Sequence, residues 1–248
     1  SVINDLPMQQ PEIPANVPTD ANGTKNTTPA VTVSVVEACP RYLLQSISNI
    51  DRSIDTPKWM TDALVQSGLR SHNFLVDVTN YVLMELGQPL HAFDADTIEG
   101  DIVVRLAQPA ETITLLNEQT ITLTGDELLI ADDKGALALA GIMGGQRSSV
   151  TDSTTNIVLE SAFFNPLAIA ARARRFGLHT DASQRFERGV DFELPALALA
   201  RAVDLITSVT GSQAGQIVKV ENIVHLPTRT PITLPITKVR EVIGIEIE

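Results

Sequence analysis

His91 follows the turn that closes "VDVTNYVLMELGQPLHAFD" (76–94), just past a helical stretch carrying Thr79 and Asn80. An imidazole titrates near neutral pH, so it can orient water or move a proton there. The other three histidines, His72, His179 and His225, are far apart and in no recognised ligand spacing, so a metal site is not expected. His91 therefore either orders a turn or forms the lip of an active site. Glu160 raises a similar question inside the apolar run "IVLESAFF". A carboxylate there is costly unless it is paired or hydrogen-bonded. Strand alternation puts Val158 and Glu160 on one face, and Ile157, Leu159 and Ser161 on the other. Glu160 is then an outward residue or an acceptor aimed into a pocket, and its apolar neighbour favours the pocket.

Three further stretches could carry chemistry. "GIMGGQ" (141–146) is glycine-rich but lacks the lysine and Ser/Thr of a phosphate loop. It reads as a strand ending in a tight turn, or as backbone brought close to a ligand. "ARARRFGLHTDASQRFERG" (171–189) sets Arg172, Arg174, Arg175, Arg185 and Arg188 against Asp181 and Glu187. Such an island either receives a phosphate-bearing end or pairs with acids elsewhere. "HTDAS" suits a helix start capped by Thr180 or Asp181. There is no Gly-x-Ser-x-Gly elbow and no Cys–His pair to suggest a covalent nucleophile.

The elements that must position these residues follow from pattern and punctuation. Residues 1–29 are rich in proline, asparagine and threonine and read as a linker or tail. "VTVSVVE" and "RYLLQSISNI" read as strands. "DTPKWMTDALVQSG" reads as a helix with Thr56 capping, Pro57 in the first position and Gly68 at the exit. The next helix spans 74–86, with its apolar residues at helical spacing. Residues 101–161 read as successive strands: "IVVRLA", "TITLLN", "TITLTG", "ELLIAD", "ALALAG" and "NIVLESAFF". Many short strands at close spacing predict antiparallel meanders closing into a sandwich. "NPLAIAARARRFG" and "LPALALARAVDLITSVTG" read as helices, "QIVKVEN" as a strand, and a new unit is expected to begin near Ile232.

Composition bounds the function. The chain has 248 residues with 44% hydrophobic and 19% charged residues, ordinary values for a globular protein. No apolar run is long enough for a membrane span, and no membrane partner is expected. One cysteine, Cys39, excludes a disulfide framework and a cysteine-rich zinc site, and fits a cytoplasmic setting. The net charge of −12 argues against a domain whose main task is gripping phosphate backbone. The first residue is Ser1 and the last stretch, "TKVREVIGIEIE", reads as an unfinished element. A piece of a longer polypeptide is expected.

Collinear segments then carry a resemblance. "VEACPRYLLQSI", "PKWMTDALVQSG", "GLRSHNFLVDVTNYVLMELGQPLHAFD", "LALAGIMGGQRSSV", "IVLESAFFNP" and "RFGLHTDASQRFERGVD" closely resemble the β chain of bacterial phenylalanyl-tRNA synthetases, over about residues 31–221. The resemblance implies an α+β module, an unusual antiparallel β-sandwich flanked by helices. It divides the chain into a tail from a preceding tRNA-binding domain (1–30), an editing domain (31–225) and the truncated start of the next domain (226–248). It implies hydrolysis of tyrosine wrongly attached to phenylalanine tRNA, within a subunit whose holoenzyme attaches phenylalanine to its tRNA. The implied partners are the 3′ end of mischarged tRNA, tyrosine as ligand, and a catalytic α subunit in an α2β2 heterotetramer. No cofactor is implied for this stretch, whereas the holoenzyme uses ATP and Mg2+. The site falls on His91, Asn80 and Thr180 as catalytic residues, and on Glu160, Gly141, Ala140, Thr79, Ala182 and Arg70 as substrate-binding residues.

The assigned chemistry follows the one-hydroxyl difference between tyrosine and phenylalanine. A hydrophobic synthetic pocket rejects an added hydroxyl only about a hundredfold, so a second, hydrolytic sieve is useful. That sieve must prefer the hydroxyl. An unpartnered buried phenol costs roughly 1–3 kcal/mol, and a charged acceptor makes the bond worth about 1.5–3 kcal/mol. Glu160 is the assigned acceptor. Ala140, Gly141 and Ala182 leave room for the ring, and His91 and Asn80 position water or ribose. Thr79 and Thr180 bind polar groups of the substrate, and Arg70 holds the adenosine. Two rivals stand beside this reading: a non-catalytic module that seats tRNA or the α subunit, and a scaffold in which His91 and Glu160 only satisfy local hydrogen bonds.

Overall fold

The computed structural model describes residues 27–244. The first half of the chain forms β1 (Val31–Val33), β2 (Arg41–Ser48), α1 (Lys58–Gln66), α2 (Phe74–Leu86), β3 (Leu90–Asp94), β4 (Ile102–Leu106), β5 (Thr112–Thr114) and β6 (Thr120–Thr122). The second half forms β7 (Leu128–Asp132), β8 (Gly135–Leu139), β9 (Met143–Gly144), β10 (Ile157–Phe163), α3 (Pro166–Ile169), α4 (Arg172–Arg175), α5 (Asp181–Arg188), α6 (Leu194–Thr210), β11 (Gln213–Glu221) and α7 (Ile236–Ile243).

The strands make three sheets, ordered β1-β4-β7-β8-β9, β11-β2-β10-β3, and the hairpin β5-β6. The four-stranded sheet is the middle layer. One face, through Tyr42, Leu44, Phe93, Val158 and Ala162, packs on the five-stranded sheet. The other, through Leu43, Ile47, Ala92, Ile157 and Leu159, packs on α1, α2 and α6. All seven residues of β10 are buried as a consequence. The expected α+β sandwich flanked by helices is therefore present. Its pairing is not purely antiparallel, because β1 runs parallel to β4.

Local signals explain most elements. α2 occupies the expected span; Asn73 caps it by accepting from Val76 N, and Gly87 ends it at φ 76°. Buried Asp77 fixes its entry by accepting from Thr56 Oγ1 (2.6 Å), Ser71 Oγ (2.6 Å) and His72 N (2.8 Å). Thr56 is thus spent on Asp77 rather than on capping α1, and Pro57 holds the cap position instead.

"NPLAIAARARRFG" gives two short helices rather than one. Ala171 enters the left-handed region at φ 69° between them, and Arg172 Nη1 caps the first by donating to Leu167 O at 2.7 Å. Arg175 pairs with Asp126 (2.6 Å) and Glu127 (3.0 Å), anchoring α4 to the five-stranded sheet. Tertiary pairing here overrides alanine's helix propensity. The strand expected in "VTVSVVE" closes at Val33. Thr28, inside the stretch read as a tail, is buried and donates to Gln216 O at 2.6 Å. Most of that tail lies outside the described residues.

Candidate functional site

β3 and β10 are antiparallel neighbours, and His91 stands directly opposite Glu160 in their register. Paired residues share a face, so imidazole and carboxyl both point at the five-stranded sheet. A cavity of about 440 Å³ opens between the two sheets at this point. Its wall includes His91, Glu160, Gly141, Gly144, Thr180 and Ala182, with apolar surface from Ile130, Ile142, Phe164 and Phe186.

Two glycines let the backbone come this close. Gly141 has φ +67°, and a Cβ there would lie 3.0 Å from both Phe164 and Phe186. At Gly144 a Cβ would lie 2.4 Å from His91 Cε1 and 2.8 Å from Nε2. The glycine run thus serves both sequence readings: it closes a strand, and it brings backbone flush against the imidazole.

Thr180 caps α5 by accepting from Ser183 N at 3.0 Å, and donates its own proton to Ile142 O at 2.8 Å. That second bond fastens α5 to the glycine loop. The hydroxyl proton of Thr180 is therefore already committed inside the protein, and its role in the wall is as a strut and an acceptor. Ala182 follows two residues on and keeps that side of the cavity small.

Burial sets the protonation of the central pair. Glu160 is 6% exposed, and desolvation pushes its carboxyl up to about 8, with the nearby Tyr42 hydroxyl pulling the other way. Desolvation pushes His91 down to about 4. Between those values both groups are neutral. The sequence predicted a charged acceptor; the structure favours a neutral acid, because burial dominates and no cation among the described residues acts to hold the carboxyl ionised. Glu160 Oε2 and His91 Nε2 are buried without a protein partner. Buried polar atoms are nearly always bonded, so two orphans on one cavity wall mark a surface that takes a polar ligand.

Four of the expected residues stand outside the wall. Arg70 is exposed in the segment leading into α2. Thr79 donates within α2 to Val76 O at 2.8 Å, and Asn80 follows it. Ala140 is fully buried beneath the glycine loop rather than on the cavity surface. The basic island mostly pairs with acids: Arg172 and Arg175 with Asp126, and Arg185 with Asp181. Arg174 and Arg188 are exposed.

Sequence reading missed Leu116 and Asn117 at the β5–β6 hairpin tip, and Pro89, all of which line the cavity. It also missed Tyr42, packed in the core beside Glu160. The hairpin residues gave no signal, since only folding carries that tip across to the glycine loop, where Leu116 N donates to Gly144 O at 3.0 Å. Among the described residues no group of three or more His, Cys, Asp or Glu could hold a metal ion, and no helix is long and apolar enough to cross a membrane.

The B3/4 domain profile matches residues 38–211. The chain belongs to that family. It is 88% identical, over all 248 residues, to part of the phenylalanine–tRNA ligase beta subunit of Psychrobacter arcticus, covering 31% of that protein. It is 53% identical, again over its full length, to the same subunit from Acinetobacter baylyi, covering 30% of it. The chain thus spans about a third of the length of these relatives. The crystal structure of an N-terminal fragment of the phenylalanyl-tRNA synthetase beta subunit from Pyrococcus horikoshii matches 91% of this chain and 63% of its own at 16% identity, with a TM-score of 0.49.

Proposed function

We propose that the cavity is a proofreading site that hydrolyses tyrosine from phenylalanine tRNA, as part of the beta subunit of a phenylalanine–tRNA ligase. The observation that carries this reading is the buried Glu160 carboxyl, opposite His91 on the cavity wall, with one oxygen lacking a protein partner. A phenol entering the cavity finds an acceptor in that carboxyl. Phenylalanine offers no hydroxyl and leaves it orphaned, which costs binding. Gly141 and Ala182 give the ring its room, and Phe164 and Phe186 flank it.

Hydrolysis of an aminoacyl ester needs an oriented water more than a strong base. His91, depressed to about 4, is a weak base but a competent acceptor, so it positions the attacking water. Thr180 accepts from the substrate's polar groups. Arg70, Thr79 and Asn80, outside the wall, are assigned to the tRNA end beyond the cavity: Arg70 to the adenosine, and Thr79 and Asn80 to ester and ribose. Ala140 supports the glycine loop from below. The subunit would act with a catalytic α subunit in a cytoplasmic α2β2 assembly, with ATP and Mg2+ belonging to the ligation reaction of the whole. The net charge of −12 fits a piece that touches only the 3′ end of the tRNA.

The test is deacylation of tyrosyl-tRNA by the full-length protein carrying His91→Ala. The rate should fall by about two orders of magnitude, with thermal melting unchanged. A wild-type rate would remove His91 from the reaction.

A further inference from the structure

Tyr42 is a buried aromatic residue to which the sequence pattern gave no role. It sits on β2, where Leu44 pairs with Glu160 and Tyr42 pairs with Ala162. Tyr42 and Glu160 are therefore diagonal neighbours on one face of adjacent strands, within reach for an aromatic side chain. Tyr42 is fully buried and takes no part in the cavity wall, so it stands behind the carboxyl as seen from the cavity. Its hydroxyl and Glu160 Oε2 are both buried without a hydrogen bond of ordinary geometry.

The groups facing Glu160 are few. Tyr42 comes from β2, Cys39 from the turn before it, and His91 from β3; the five-stranded sheet contributes apolar side chains. The Cys39 thiol leans toward Arg41 O at 3.7 Å, which leaves Glu160 as the acceptor for Tyr42. A glutamate's terminal torsion is broad, so a turn of the carboxyl closes that bond without moving either strand.

We propose that Tyr42 is a positioning residue for ring-tip recognition: its hydroxyl hydrogen-bonds one oxygen of the Glu160 carboxyl, the hydroxyl oxygen while the acid is neutral, and so holds the carbonyl oxygen toward the cavity, free to accept the phenol of the substrate. This rests on the proofreading reading of the cavity. The resulting chain, phenol to Glu160 and Tyr42 to Glu160, leaves neither buried hydroxyl orphaned, and such chains strengthen one another in a low-dielectric interior. A substrate without the phenol gains nothing from it.

The experiment uses the full-length protein and compares kcat/KM for tyrosyl- and phenylalanyl-tRNA in wild type, Tyr42→Phe, Glu160→Ala and the double variant. Tyr42→Phe should lower the tyrosine preference about 2- to 10-fold, the worth of one neutral hydrogen bond. In the Glu160→Ala background it should change nothing further. It should also move the pH limit at which the preference changes with ionisation of Glu160 to higher pH, because donation by Tyr42 favours the ionised carboxyl. Ring packing alone would not move that limit. A carbon-13 titration of the Glu160 carboxyl in substrate-free Tyr42→Phe should show the same upward displacement, a readout independent of turnover. If Glu160→Ala leaves the preference intact, the proofreading assignment fails. If Glu160→Ala abolishes it while Tyr42→Phe changes neither preference nor titration, the role of Tyr42 fails alone.

Discussion

Replacing Glu160 by alanine and by glutamine separates recognition by a neutral acid from recognition by a charge. The carboxyl is 6% exposed and pushed up to about 8, so at pH 7 its neutral form predominates. A neutral acid offers one carbonyl acceptor and one donor. Glutamine offers the same pair in nearly the same shape. Glu160→Gln should keep the tyrosine preference within about threefold of wild type, since it retains a neutral acceptor of similar worth. Glu160→Ala removes the acceptor and leaves a buried phenol unpartnered. That costs about 1–3 kcal/mol, equivalent to about 5- to 150-fold in preference. The assay is the ratio of kcat/KM for tyrosyl- and phenylalanyl-tRNA deacylation at pH 7. If glutamine proves as damaging as alanine, the ionised carboxylate is the recognising species and the inference from burial is wrong. If alanine keeps the preference, Glu160 does not read the ring tip.

Three other outcomes follow from the same geometry. Gly144→Ala places a methyl 2.4 Å from His91 Cε1, so the ring must move by about 1 Å; deacylation should fall on the order of 100-fold while melting stays close to wild type, and an unaffected rate would show that the ring's position is immaterial. The folded Glu160 carboxyl, raised from 4.5 to about 8, contributes stability that is complete below pH 4.5 and lost as pH rises through 8; wild type should therefore lose more melting temperature between pH 6 and 9 than Glu160→Gln does, and parallel curves would contradict this. Thr180→Ala removes both the α5 cap and the tie to Ile142 O; urea unfolding should show a loss of about 1–2 kcal/mol that Thr180→Ser largely restores, whereas an equal loss in serine would implicate the methyl group.

Much of the scaffold was legible in the chain. Asn73 and Gly87 bracket α2, and Gly211 at φ 66° ends α6, because caps are local chemistry. The alternation in "IVLESAFF" placed Glu160 and Val158 on one face, as β10 shows. The single helix expected over "NPLAIAARARRFG" failed where arginines found acidic partners in the distant turn that leads into β7. Thr56 failed as a cap because Asp77, 21 residues away, offered a better acceptor. In both cases a long-range polar contact outweighed a local preference worth about 1 kcal/mol or less.

By itself the sequence determined which residue types lie on which face of which strand or helix, since periods of two and 3.6 are properties of the local backbone. It also carried the family, through long collinear segments. Tertiary structure alone decided that His91 and Glu160 are register partners, that Gly144 is pressed against the imidazole, and that Tyr42 stands behind the carboxyl. It alone decided that Glu160 is neutral near pH 7, because that depends on how much water and counter-charge two packed sheets leave around it. Register and desolvation arise only when segments distant in sequence meet, so no window along the chain could have contained them.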